Sequence, residues 1–190
     1  MKSPILLNEI ANIHAGYSFR SAILDAGSGV GVIQAKDVAE LYLKLSTSPK
    51  VRQDFPSARL LGMGDVVLTT RGSFRASVVN LNIKAIASSS LHVIRLKTDE
   101  YLPEFVALFL NSPQAQNYLN QSAKGATIKS VSATDLGMTR IPIVALEDQK
   151  LLVKLQQNVE RQSKLLESKA SIINKVYNNT ISKSLQGAMS

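Results

Sequence analysis

Between Glu147 and Gln186 the chain has neither proline nor glycine, and its apolar residues return on a seven-residue beat. Leu152, Val159, Leu166 and Ile173 carry that beat, and Leu155 and Val176 fall on the intervening d-type positions. Such spacing lays a narrow apolar seam along one side of an α-helix. About forty residues at 1.5 Å each make a rod of roughly 60 Å. A rod that long cannot cover its seam on a domain the size of the remaining chain, because only one end reaches it. The sequence therefore predicts two parts: a head over 1–146 and a coiled-coil-forming helix over 147–190 that needs a second helix. Gln162 and Lys169 occupy two d-type positions. Polar seam residues act as register devices, so these two disfavour a simple parallel pair and suit an antiparallel one or a larger partner.

The whole chain has 190 residues, 45% of them hydrophobic, enough for one compact domain with an appendage. Net charge is +8. Residues 1–146 hold fifteen Lys/Arg against ten Asp/Glu, and 147–190 hold seven against four, so both parts are basic. A surplus of this kind favours a polyanion such as nucleic acid, the plain alternative being a generic basic protein. The absence of cysteine excludes disulfides and Cys-based zinc sites. The apolar run after Met1–Pro4 is too short for a signal peptide, and no run approaches the ~20 residues of a membrane span. The expectation is a soluble, cytoplasmic protein that does not enter membranes.

Along the head the apolar pattern is irregular. Residues 5–13 read as a strand or short helix, and Val30–Ala35 as a strand. Residues 46–59, with Pro49 and Pro56, read as a loop. Gly62–Asp65 is a tight turn. Val66–Thr70 is a short, β-branched, buried strand that returns through Ala76–Leu81 as a hairpin. Ala85–Ala87 and Leu91–Leu96 are further strands. Pro103 opens one helix, and Ser112-Pro113 opens a second that ends near Gln121. Thr127–Val131 reads as a strand, Thr134–Leu136 as a turn, and Met138–Val144, broken by Pro142, as an edge strand. Strands, two short helices and more strands predict an α+β, β-rich head, not a doubly wound parallel sheet.

Three segments carry candidate binding chemistry. Arg71, Ser73 and Arg75 lie on the hairpin tip, where guanidinium groups can read guanine edges and hydroxyls can meet phosphate or bases. Otherwise they are a solvated turn. Lys124, Thr127 and Lys129 surround Gly125 and Ala126, small residues that let backbone N–H groups approach a phosphate. Equally, Gly125 can be an ordinary helix cap. Tyr17, Phe19 and Arg20 can present rings and a charge, although such rings more often belong to a core. Asp65 reads as a turn-fixing acceptor and His92 as a core or half-buried histidine.

These motifs stand in an order similar to that of a known family. Gly16-Tyr17-Ser18-Phe19-Arg20, Gly64-Asp65-Val66-Val67-Leu68, Pro103-Glu104-Phe105 and Phe109-Leu110-Asn111-Ser112 follow one another. Lys124-Gly125-Ala126-Thr127-Ile128, Asp135-Leu136, Ile141-Pro142-Ile143 and Glu147-Asp148-Gln149 complete the series. In this the chain resembles half of a specificity (S) subunit of a type I restriction–modification system, in which a target-recognition domain precedes a long helix. The resemblance covers nearly the whole chain and rests on order and spacing, each motif being short. It implies a non-catalytic subunit that binds double-stranded DNA and directs an adenine methyltransferase (M) subunit and a restriction (R) subunit to a bipartite site. S-adenosylmethionine would sit in the M partner, and this chain would need no cofactor or metal. Two features depart from the pattern. The family's usual subunit has two recognition domains where this chain has room for one, which implies a fragment or a half-length subunit that forms a homodimer through its helix. Val144-Ala145 also stands where the family tends to place a second proline.

Other classes are weaker. No adenine-methyltransferase motif, P-loop or dinucleotide fingerprint is present, since Gly27-Ser28-Gly29-Val30-Gly31 lacks the strand-to-helix context. The carboxylate–lysine groups of a metal nuclease are approached only on the long helix, where such charges normally pair in solvent. An RNA-binding module would want more rings than 5% aromatic residues provide. The main alternative is an interaction or scaffold protein that uses its coiled coil and never reads DNA.

Overall fold

The computed structural model of the chain describes residues 3–39, 41–44, 48–80 and 84–188, with side chains as far as 182. It divides into two compact units, Met1–Leu151 and Leu152–Ser190. In order, the elements are β1 (Ile5–Leu6), α1 (Leu7–Ile10), β2 (Ala11–Ala15), β3 (Val30–Ile33), β4 (Lys50–Val51), β5 (Val66–Thr69), β6 (Ala76–Val78), β7 (Ala85–Ala87) and β8 (Leu91–Leu96). Helices α2 (Pro103–Leu110), α3 (Pro113–Ser122) and α4 (Ala133–Gly137), strand β9 (Arg140–Ile141) and helix α5 (Leu146–Ala188) follow. The class is α+β.

Strands β2, β8, β5 and β6 form an antiparallel sheet in that order, while β4, β3 and β7 form a second sheet in which β3 and β7 run parallel. Strands β1 and β9 pair antiparallel, bringing Ile5 opposite Ile141. The core lies between the two larger sheets, where Val67, Leu91 and Val93 of one meet Ile33, Ala85 and Ala87 of the other. All four β5 residues are buried, and the register explains why the strand reads without alternation. Val67 faces the inter-sheet core, while Val66 and Leu68 face the side on which α2 packs. A strand covered on both faces has no polar side to show.

Expected and observed elements agree where the signals are local. Residues 5–13 hold both expected structures, a single helical turn between two strands, with the Glu9 carboxylate accepting from the Leu6 N–H at 2.8 Å. The Gly62–Asp65 turn closes through Asp65 N–H to Gly62 carbonyl, with Gly64 at φ +85°. Ser112 caps α3 by accepting from Ala115 N–H, and proline follows at the first helical position of both α2 and α3.

Four readings need correction. Thr127–Val131 is not a strand: Ser130 spends both backbone groups on Lys124, so no ladder can extend. Residues 133–137 are a helical turn, because Ser132 accepts from Asp135 N–H and caps it. The 46–59 loop contains β4 and a 3₁₀ turn at Ser57–Arg59; residues 45–47 lie outside the described set. Strand 138–144 shortens to β9, since Pro142 removes the next donor. Leu81, the expected end of the hairpin return, also lies outside the described residues.

Helix α5 starts with a buried amide. Gln149 is fully buried, accepts from Leu102 N–H at 2.9 Å and donates to the Glu100 and Val144 carbonyls at 2.8 and 2.9 Å. Further along, Leu152, Leu155, Val159, Leu166, Ile173 and Val176 are 40–66% exposed. Among the described residues no helix is long and apolar enough to cross a membrane, and no group of His, Cys, Asp or Glu could hold a metal ion.

Candidate nucleic-acid interface

The hairpin tip is a built structure, not a loose turn. Thr69, at the end of β5, donates its hydroxyl to the Ser73 carbonyl at 2.6 Å and accepts from Arg75 N–H at 2.9 Å. Gly72 turns the chain at φ +73°. Phe74 points inward and is fully buried, which leaves Arg71, Ser73 and Arg75 exposed around it. Gln116 of α3 holds the tip from below, donating to the Phe74 and Leu110 carbonyls at 2.5 and 2.7 Å. Asn111 fixes the outer edge of β6 by bonding both backbone groups of Ala76.

The second candidate segment meets the first. Lys124 and Ser130 exchange both backbone hydrogen bonds at 2.9 Å and close a small loop between them. Arg71 bridges to Ser130, Gly72 N–H reaches the Lys129 carbonyl, and Val131 N–H donates to the Thr70 carbonyl at 3.1 Å. Segments far apart in sequence thus become one surface carrying Arg71, Ser73, Arg75, Lys124, Thr127 and Lys129, all exposed. Among the described residues none of its four cations pairs with a carboxylate. Gly125 does not cap a helix: α3 ends at Ser122 with Ala123 as its cap. Its role is inside the loop, at φ +130°, where a Cβ would collide with the Ile128 carbonyl oxygen.

Tyr17, Phe19 and Arg20 lie elsewhere. Tyr17 N–H bonds the Ala87 carbonyl at the end of β7 at 2.7 Å. Its ring meets Phe19 and Phe55 edge-on at 4.9 and 5.1 Å, and the three half-buried rings pack on Val30, Val32 and Ile86. Arg20 is exposed beside them. Gly16 lets the chain pass close to β7, since a Cβ there would strike the Ser88 carbonyl oxygen.

Two other residues resolve as read. Asp65 is buried, accepts from Gly62 N–H at 2.7 Å and takes a two-pronged contact from Arg95 at 2.8 and 2.6 Å. With both oxygens engaged, it fixes a turn. His92 is buried in β8 with Nε2 against the Val131 carbonyl at 2.9 Å, and burial pushes its pKa below the ordinary imidazole value. It therefore supports, from inside, the backbone at Val131 where the Lys124–Ser130 loop ends. The roles of Ser130 and Gln116, and that of Gln149 beyond its place in the Glu147-Asp148-Gln149 motif, escaped the sequence reading, because a polar residue that joins two distant segments leaves no periodic signal.

Comparison with known proteins places the chain in a family. The model of the type I restriction modification DNA specificity domain matches residues 4–175. The chain belongs to that family. A specificity domain is the recognition part of such a system and is not itself catalytic. The type I restriction enzyme EcoBI specificity subunit of Escherichia coli is 25% identical over 151 residues, 79% of this chain and 30% of that subunit. A solved type I system described for its complex assembly and conformational transition superposes with TM-score 0.64 at 22% identity, covering 85% of this chain and 39% of that one. The HsdS subunit from Thermoanaerobacter tengcongensis gives 0.60 at 20% identity (86% and 38%), and an S subunit from M. genitalium 0.62 at 12% (87% and 41%). These structures share the fold. The chain spans less than half the length of each of these relatives.

Proposed function

We propose that the chain reads one half of a bipartite duplex DNA target for a type I restriction–modification complex, and that two copies act as a pair. The carrying observation is the fusion of the 71–75 tip and the 124–129 loop into one exposed cationic surface. Unpaired guanidinium and ammonium groups supply affinity through phosphates, and the arginines with Ser73 and Thr127 are positioned to read base edges, chiefly in the major groove. Arg20 extends the contact from the Tyr17–Phe19 ring cluster. Methyltransferase and restriction subunits dock on the assembled pair and act where it binds.

The pair forms through α5. An in-register parallel dimer would set Lys169 against Lys169 inside the seam. Antiparallel pairing avoids this and uses every seam residue: Leu152 faces Val176, Leu155 faces Ile173, Val159 faces Lys169 and Gln162 faces Leu166. Each polar d residue then lies against an apolar a residue, where the lysine stem covers carbon and its ammonium reaches water.

Salt titration of binding to a cognate duplex tests the reading. The expected result is a steep fall of affinity with salt, with a slope of several phosphate contacts. A pair of copies that leaves DNA unbound, with the modifying partner present, would leave only the scaffold alternative.

A further inference from the structure

One exposed apolar side chain belongs to the cationic surface. Ile128, between the exposed Thr127 and Lys129, leaves 61% of its surface in solvent. Leu24 and Met63 are exposed as well, but they belong to other loops, and a single apolar residue on a protein surface needs no explanation. Ile128 differs in its setting. The paired backbone hydrogen bonds of Lys124 and Ser130 close the loop that carries it. Gly72 N–H holds the carbonyl of the adjacent Lys129, and Gly125, at φ +130°, lies against the Ile128 carbonyl. Branching at Cβ leaves the side chain little rotational freedom. A stiff hydrocarbon group is thus presented on a fixed loop, on the same surface as Arg71, Arg75, Lys124 and Lys129.

Phosphates offer such a group nothing, and neither do the donors and acceptors of a base edge. The C5-methyl of thymine is the apolar group of the base-pair code, and it lies in the major groove. We infer that Ile128 packs on a thymine methyl in each half-site and so fixes a T·A pair there, while the cations around it hold phosphates and neighbouring base edges. The inference rests on the DNA reading proposed above and adds to it a residue that discriminates by apolar contact. Such a contact releases no counterions, so it contributes selectivity without salt dependence.

Deoxyuridine is thymidine without the methyl and pairs in the same way, so it isolates the contact. The probe is a duplex carrying the site whose methylation is mapped in cells, bound by the full-length chain with its modifying partner. Each thymine of one half-site is replaced in turn by deoxyuridine. At one position wild-type affinity should fall about fourfold, the effect of one buried methyl. Ile128→Ala, an exposed substitution that should leave the thermal midpoint in place, should bind the unmodified duplex at least about fourfold more weakly. It should also lose the preference for thymine over deoxyuridine at that position and keep the wild-type salt slope. A preference that persists in Ile128→Ala would assign the methyl to another residue and overturn the inference. So would a wild type indifferent to every replacement; affinity still lost in Ile128→Ala would then make the side chain a wedge between base steps. A wild-type chain that leaves the unmodified duplex unbound would refute the DNA reading itself.

Discussion

Arg71 and Arg75 owe their exposure to the phenylalanine between them. Phe74 is buried, Thr69 holds the Ser73 carbonyl and Gln116 that of Phe74 itself, and the two guanidinium groups are left outside without a carboxylate partner among the described residues. Turn-tip charges contribute little to stability. Arg71→Ala with Arg75→Ala should therefore leave the thermal midpoint unchanged while lowering the salt slope of duplex binding by about 2, one for each phosphate contact. Unchanged affinity would move the reading surface elsewhere. His92 predicts a pH effect of the opposite kind, on stability. Burial lowers its pKa in the fold, so the unfolded chain binds the proton more readily. His14 is lowered too, by burial and then by the charges of Arg95 and Arg59. The stability both provide is complete above the ordinary value of 6.5 and is lost as pH falls from there through the folded values. Urea midpoints should drop over that range, and His92→Gln, which keeps a donor for the Val131 carbonyl, should flatten the drop. A wild-type midpoint independent of pH there would contradict the burial argument.

At the scale of elements, what was legible in the sequence was what rests on neighbours in the chain. The heptads of α5, the proline starts of α2 and α3, the Gly62–Asp65 turn and the unbroken apolar run of β5 each carry their cause within a few residues. What was not legible depends on long-range closure. Thr127–Val131 has strand-like residues, but Ser130 is already committed to Lys124 and to the tip, so the segment forms a loop. The same closure places the lysines beside the arginines, which no spacing in the sequence could announce. Gly125→Ala tests the loop as an element: at φ +130° against the Ile128 carbonyl it should disorder the loop locally and weaken DNA binding, with little change in global unfolding. Hydrogen exchange faster at Lys124 and Ser130, and not at β5, would be the expected signature. Gln149→Met tests the joint at the start of α5. Removing its amide strands Leu102 N–H and the Glu100 and Val144 carbonyls in a buried place, at a cost of roughly 2–4 kcal/mol. A cost below about 0.5 kcal/mol in urea unfolding would show that water replaces the amide.

At the scale of the whole molecule, the function proposed above makes one recognition head half of a reading device. The six apolar seam residues of α5 are exposed, and among the described residues of its unit only Val153 is a buried apolar side chain; an amphipathic helix in that condition gains most of its stability from a partner. Leu166→Asp removes two seam leucines per dimer, roughly 3–6 kcal/mol, or at least two decades in dissociation constant. Light scattering should then report a monomer whose head still binds a single half-site, at reduced affinity. Loss of the second head also has a consequence for the target. Two identical heads related by a two-fold axis read the same word on opposite strands, so a homodimer requires an inverted repeat with a gap set by the paired helices. Sequencing of methylated positions in cells carrying the chain with its modifying partner should return such a split palindrome. In the Leu166→Asp background, methylation at that site should fall away, because a lone head cannot select the spacing. A site with two unlike halves would mean that a second, different head completes the assembly, and the self-pairing seam would have to be reassigned to that partner.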